Sequence, residues 1–123
     1  MAGDTGDEAA VRALAQEYYD TMVAADEAGI RRVFDPRATM AGHFQGDFLW
    51  ANIDEFIAET REFFGKHGKI ESRIEHIALH GDTAYALVGG RYAGVWFEDQ
   101  LLMVKAEGAW RVSAKTFWVK PGV

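Results

Sequence analysis

The stretch that decides the fold is Tyr85–Trp118, YALVGGRYAGVWFEDQLLMVKAEGAWRVSAKTFW. Gly94 and the pair Glu107-Gly108 punctuate it into three runs rich in β-branched and aromatic residues, the signature of strands joined by tight turns. The reading predicts strands over 84–92, 95–106 and 110–119. In the middle run Phe97, Asp99, Leu101 and Met103 are two apart and so share one strand face. Three are large hydrophobes and one is a carboxylate. An ionised acid among such neighbours costs free energy unless a partner or water reaches it. A pocket with a polar floor, a buried ion pair and a wet subunit seam all satisfy that requirement.

Upstream of this meander, residues 70–80 read as another strand ending in a turn at Gly81-Asp82. Before residue 69 the period is helical. Val11, Leu14, Ala15, Tyr18, Met22 and Ala25 recur at steps of three and four, which predicts an amphipathic helix over 7–25. Thr5 and Glu8 have capping-box spacing at its start. Asp26 caps a shorter helix carrying Ile30, Val33 and Phe34, and Asp35-Pro36 stops it, since a residue before proline is pushed out of helical geometry. Residues 38–44 and 48–50 read as extended segments around a turn at Gln45-Gly46-Asp47. Asn52 and Glu55 start a third helix, with Ile53, Phe56, Ile57, Thr60, Phe63, Phe64 and His67 as its stripe and Gly65 and Gly68 at its end. His67, at that end, is expected to face the last carbonyls. The pattern is an α+β plan: one domain over 1–123, with three N-terminal helices against one face of a long, curved antiparallel sheet. Strands this long must twist and coil, and a coiled sheet closed by helices makes a cone.

Composition narrows the function classes. The chain has 123 residues, 49% hydrophobic and 13% aromatic, enough for a core without disulfide or metal staples. It has no cysteine, so thiolate catalysis and cysteine-ligated metals are excluded. Its 19 acids and 13 bases give a net charge of −6, with no basic cluster to track a phosphate backbone; nucleic acid is not an expected partner. No apolar run approaches the roughly 20 residues of a membrane helix, and 1–8 lack the features of a signal peptide. The expectation is a cytoplasmic protein whose residues 1–6 are a flexible tail. His67, His76 and His80 are spaced too widely for a metal motif, so neither metal nor cofactor is expected.

The order of elements resembles the nuclear transport factor 2-like fold, also called SnoaL-like, a cystatin-like half-barrel. The residues that carry the resemblance are Tyr18-Tyr19, Gly29 to Phe34 and Asp35-Pro36-Arg37-Ala38-Thr39. The ending Phe97-x-Asp99-x-Leu101-Leu102-x-Val104-Lys105, then Gly108-x-Trp110-Arg111-Val112-x-x-Lys115-x-Phe117, is similar to the branch known as the putative lumazine-binding family. This fold hosts isomerases, cyclases, dehydratases and non-catalytic binders, so the resemblance bears on architecture more than on activity. Set against the ketosteroid isomerases of this fold, it implies that Tyr18 stands at the oxyanion-hole tyrosine and Asp99 near the protonated aspartate. The general-base position falls on Gly42, which cannot take a proton.

Three residues are candidates for proton chemistry. Asp99 is a pocket carboxylate with a raised pKa or half of an ion pair with Lys115. His43, beside the missing base, is of a side-chain type that would serve as acid or base; strand alternation points it away from Gly42 unless the strand bulges. Tyr18 is a buried donor whose hydroxyl needs a partner. Candidate ligand-binding residues are Tyr19, Met22, Trp50, Phe56, Phe64, Tyr92, Phe97, Met103, Lys115 and Phe117, a mostly apolar wall of the kind that lines ligand pockets. Strict alternation groups Lys115 with Arg111 and Ser113 on a wetter face; only the family motif draws it toward the pocket. The opposite faces of the last two strands carry Leu102 and Val104, and Trp110, Val112, Ala114, Thr116 and Trp118. Helices cover only one side, so a twofold homodimer packed sheet to sheet is expected.

Three functions fit: a binder of a small, apolar, cyclic or aromatic molecule; a metal-independent acid/base isomerase or lyase; and a protein-interaction domain. Two ionisable groups within proton-transfer reach of one cavity favour the second, and a filled interior with an outer apolar patch favours the third.

Overall fold

The structure is a computed structural model and describes residues 5–123, the side chain of Thr5 excepted. The Thr5 cap and the first four residues of the expected tail lie outside what it describes. Helix α1 spans Thr5–Val23, so Gly6 is helical. Helix α2 spans Glu27–Val33 and strand β1 Phe34–Phe44; β2 is Asp47–Asn52, α3 Ile53–Phe63, β3 Ser72–His80, β4 Thr83–Tyr92, β5 Val95–Ala106 and β6 Ala109–Val119.

The helix signals act as their chemistry requires. Asp26 caps α2 by accepting a hydrogen bond from the Gly29 N–H at 3.1 Å. Asn52 and Glu55 form a reciprocal capping box, with both bonds at 2.9 Å. Phe34, next to Asp35-Pro36, is already extended, so α2 passes directly into β1. Gly65 adopts φ 78°, a left-handed conformation that costs glycine little, and turns the chain away from α3. His67 corrects the expectation for the end of α3. It lies beyond the helix, buried, with Nδ1 accepting from the Ala93 N–H at 2.9 Å and its ring stacked on Tyr92.

The six strands form one curved sheet in the order β2-β1-β6-β5-β4-β3. Neighbours are antiparallel except β1 and β6, which run parallel; the sheet is therefore mixed at that one seam. The parallel seam is where the α2-β1-β2-α3 segment joins the meander. Tyr18 and Tyr19, Ile30 and Val33, and Phe56 and Ile57, from the three helices, meet the inner faces of Met40, Val88, Leu101 and Met103 in one core. Removing each such side chain from water contributes about 1.5–3 kcal/mol.

One irregularity decides which residues face that core. Between β5 and β6, Leu102 pairs with Ala114 but Met103 pairs with Val112, so Ser113 is an extra residue. This bulge reverses the alternation along β6. Trp110 and Val112 point inward before it; Lys115 and Phe117 do so after it. The expectation that Lys115 shares the wetter face of Arg111 is thereby corrected, as is the placement of Trp110 and Val112 on the outer face. Ala114, Thr116 and Trp118 remain outside.

Candidate active site

Three side chains from three elements meet inside the cone. Tyr18 lies on the buried stripe of α1 between Leu14 and Met22. Asp99 is in the middle of β5, opposite Val88 on β4 and Phe117 on β6. Lys115 pairs with Leu101, so it is the diagonal neighbour of Asp99 on the same inner face. The Tyr18 hydroxyl donates to Asp99 Oδ2 at 2.5 Å and accepts from Lys115 Nζ at 2.7 Å. A hydroxyl bound to a carboxylate has this short length. The lysine therefore reaches the acid through the phenol. All three groups are buried, with Asp99 at 4% and Lys115 at 6% exposure.

A cavity adjoins this chain of hydrogen bonds. Met22, Met40, Phe44, Leu49, Ala51, Phe56, Glu59, Tyr92, Phe97, Asp99, Lys115 and Phe117 line it. The cavity volume is about 30 Å³, enough for ordered water. The wall is apolar, and its polar atoms come from Asp99, Lys115, Glu59 and the Tyr92 hydroxyl. That hydroxyl donates to Glu59 Oε2 at 3.1 Å. Asp99 Oδ1 has no hydrogen-bond partner among the described residues. Lys115 Nζ sits 4.4 Å from the Phe56 ring centre, 5.0 Å from that of Tyr18 and 5.6 Å from that of Phe117, within cation–π range of each.

Burial sets the electrostatics. It raises the Asp99 pKa, while the nearby Lys115 charge and the Tyr18 hydrogen bond pull it back. It lowers the Lys115 pKa, against the attraction of Asp99 and Glu59. It raises Tyr18 well above the ordinary phenol value, and the Asp99 charge and hydrogen bond add to that. Tyr18 thus stays a neutral donor at pH 7. The Asp99–Lys115 couple can be doubly charged or doubly neutral with no change in net charge. One proton moving through Tyr18 interconverts the two forms.

Of the sequence candidates, the fold gathers Asp99, Lys115, Met22, Phe56, Tyr92, Phe97 and Phe117 around the cavity, with Tyr18 behind them, bonded to Asp99 and Lys115. It separates the others from it. His43 is exposed on the outer sheet face with its ring 5.4 Å from that of Phe48; strand alternation holds, and no bulge turns it inward. Trp50 pairs with Ala41 on that outer face and is 66% exposed. Phe64 follows α3 and is also exposed. Tyr19 is a structural tie: its hydroxyl donates to the Arg91 carbonyl at 2.8 Å and accepts from the Glu71 N–H at 3.1 Å. Met103 is buried in the core four residues along β5 from Asp99 and does not line the cavity.

Met40, Phe44, Leu49, Ala51 and Glu59 were not anticipated. Met40 and Phe44 flank Gly42 at strand spacing, so fixing the inner face of β1 would have found them. Glu59 lies one turn from Phe56 and one from Phe63 on α3, an acid within an apolar stripe, the same signal that singled out Asp99. Gly42 itself faces inward. A Cβ there would stand 2.4 Å from the Phe117 carbonyl oxygen and 2.7 Å from its ring, so Phe117 occupies the direction a side chain would take. Among the described residues no group of three or more His, Asp or Glu is placed to hold a metal ion. No helix among them is long and apolar enough to cross a membrane.

Comparison with known proteins gives a family and a fold. The model of the family described as "Putative lumazine-binding" matches residues 6–118. An NTF2-like protein of unknown function from Silicibacter pomeroyi DSS-3 is 29% identical, with TM-score 0.89, covering 94% of this chain and 98% of its own. An NTF2-like protein of unknown function from Shewanella baltica OS155 is 21% identical, with TM-score 0.87 and coverage of 99% and 100%. A ketosteroid isomerase-like protein from Erwinia carotovora atroseptica SCRI1043 is 16% identical, with TM-score 0.75 and coverage of 94% and 98%; at that identity it speaks to the fold alone. No curated protein matches the chain significantly.

Proposed function

Because the chain belongs to the "Putative lumazine-binding" family, within the NTF2-like superfamily, we propose that it binds a small, largely apolar molecule in the cavity of the cone, with a polar group of the ligand on Asp99. The observation that carries this reading is the unpartnered Oδ1 of Asp99, a buried carboxylate oxygen of a residue that lines an apolar cavity. A buried acceptor without a partner costs about 1–3 kcal/mol. A ligand N–H or O–H that reaches it takes the place that ordered water would otherwise fill, and apolar contact with Phe56, Phe97 and Phe117 supplies the rest. The open space is water-sized, so a guest requires side chains to move aside; Met22 and Met40 flank it, and unbranched methionines repack at little cost.

Native mass spectrometry of freshly purified protein tests the reading, followed by titration with lumazine, the compound in the family's description, and with simple aromatic alcohols. Retention or saturable binding that weakens in Asp99→Asn is expected. A protein that retains nothing, and binds none of these any tighter than Asp99→Asn does, overturns it.

A second reading is an acid/base isomerase or lyase that uses no metal. It is favoured by one observation, the Lys115–Tyr18–Asp99 relay, which sets a proton donor and a proton acceptor within hydrogen-bond reach of each other beside the cavity. Proton–deuterium exchange into a bound ketone, lost in both Asp99→Asn and Tyr18→Phe, distinguishes turnover from binding.

The outer sheet face fits a second copy of this chain. Phe48 and Trp50 on β2, Trp118 on β6 and Leu102 on β5 are at least half exposed and lie on the outer side of the sheet, on three strands with β1 between two of them. Sheets pack face to face through such surfaces, and a twofold dimer buries the same patch on both copies.

A further inference from the structure

Lys115 is placed unlike the lysine of a structural ion pair. Lys115 lines the cavity, its Nζ stands among three aromatic rings, and its hydrogen bond goes to a phenol rather than to a carboxylate. The phenol in turn donates to Asp99, so the amine is wired to an acid that can hold its proton. Apolar surroundings favour a free amine, and a free amine in a sheltered cavity is a nucleophile for carbonyl carbon.

From this geometry we infer that Lys115 forms an imine with an aldehyde or ketone bound in the cavity, with Tyr18 and Asp99 as its proton relay. The inference rests on the reading that the cavity admits a small molecule, and adds that the ligand carries a reactive carbonyl group. The protons balance within the site. An ammonium proton passes from Nζ to the Tyr18 oxygen while the Tyr18 proton passes to Asp99 Oδ2, leaving a neutral amine and a carboxylic acid. The amine lone pair adds to the carbonyl carbon, and one N–H proton moves to the carbonyl oxygen to give a carbinolamine. Asp99 returns its proton through Tyr18 to that hydroxyl, which leaves as water. A protonated imine remains opposite the Asp99 carboxylate. Burial acts in the same direction, lowering the Lys115 pKa and raising that of Asp99. Glu59, the other acid that acts on Lys115, is held by Tyr92.

The test uses the wild-type chain and two probes of equal shape, benzaldehyde and benzyl alcohol. Each is titrated by thermal shift, and the aldehyde is then trapped with cyanoborohydride and mapped by peptide mass spectrometry. The expected result is one benzyl group on Lys115, at least about tenfold ahead of Lys66, Lys69, Lys105 and Lys120, with benzyl alcohol competing against it. Tyr18→Phe keeps the amine and the ring, and is expected to trap about a hundredfold more slowly through loss of the relay. Adducts that follow surface exposure and spare Lys115, while benzyl alcohol still binds, overturn the imine and leave the binding reading standing. Absence of both adduct and binding overturns both. A Tyr18→Phe variant that traps at the wild-type rate overturns the relay.

Discussion

Replacing Lys115 by methionine keeps the apolar stem and removes the one cation beside Asp99. The acid is 4% exposed, and its hydrogen bond comes from Tyr18, so solvent cannot stand in for the missing charge. Breaking a buried pair on one side costs about 3–5 kcal/mol. For a domain of this size that corresponds to a fall in Tm of roughly 12–20 °C. The double variant Lys115→Met, Asp99→Asn removes the charge as well and keeps an acceptor for Tyr18. It is expected to recover most of the loss, with a coupling of at least about 2 kcal/mol. The sign of the pH dependence follows from the direction of the shift. Burial raises the Asp99 pKa above its unfolded value, and without Lys115 it rises further. A raised carboxyl pKa contributes stability at low pH that is lost as pH climbs through the folded value. The deficit of Lys115→Met should therefore shrink on acidification from pH 8 to pH 5. Urea unfolding of the wild type, both single variants and the double variant at several pH values reads all of this. A Lys115→Met cost below about 1 kcal/mol, or single-variant costs that simply add in the double variant, would refute the buried-couple reasoning.

Deleting Ser113 removes the extra residue and leaves Val112, Lys115 and Phe117 all facing inward on a regular strand, so a cooperative melt is expected to survive; loss of cooperative unfolding would contradict the parity argument. Gly42→Asp, which restores the carboxylate that the isomerase resemblance lacks, must displace Phe117; a destabilisation of about 1–3 kcal/mol is expected from overpacking, measured by calorimetry. Burial lowers the His67 pKa, so proton uptake favours the unfolded chain, and stability should fall as pH drops below about 6.5; His67→Gln should flatten that slope, and an unchanged slope would assign it elsewhere. Trp118→Ser and Leu102→Ser should convert a dimer to a folded monomer in sedimentation equilibrium; a wild-type chain that sediments as a monomer removes the proposed sheet-to-sheet contact.

The residues that were legible in the sequence were those whose signal is local. An acid among hydrophobes at strand spacing marked Asp99, and the spacing of three and four residues placed Tyr18 and Met22 on the inner stripe of α1. Capping chemistry marked Asp26 and Asn52 because the bonds involved span only three residues. Trp50 and Phe64 misled because a large hydrophobe carries no sign of which face it takes; both ended up exposed. His43 carries no such sign either. Its neighbour Gly42 took the inner face, and a strand offers only one inward position of the two.

Element order, the turns of the meander and the presence of one lone acid on an apolar strand face are consequences of chain-local periodicity and turn chemistry, and the amino-acid sequence determined them alone. The identity of the acid's partners was a tertiary decision. Only the slip of one residue between β5 and β6 turned Lys115 inward, and only the packing of α1 across the sheet brought the Tyr18 hydroxyl between amine and carboxylate. A bulge depends on the register of two strands, a property of the pair that neither strand's own pattern encodes.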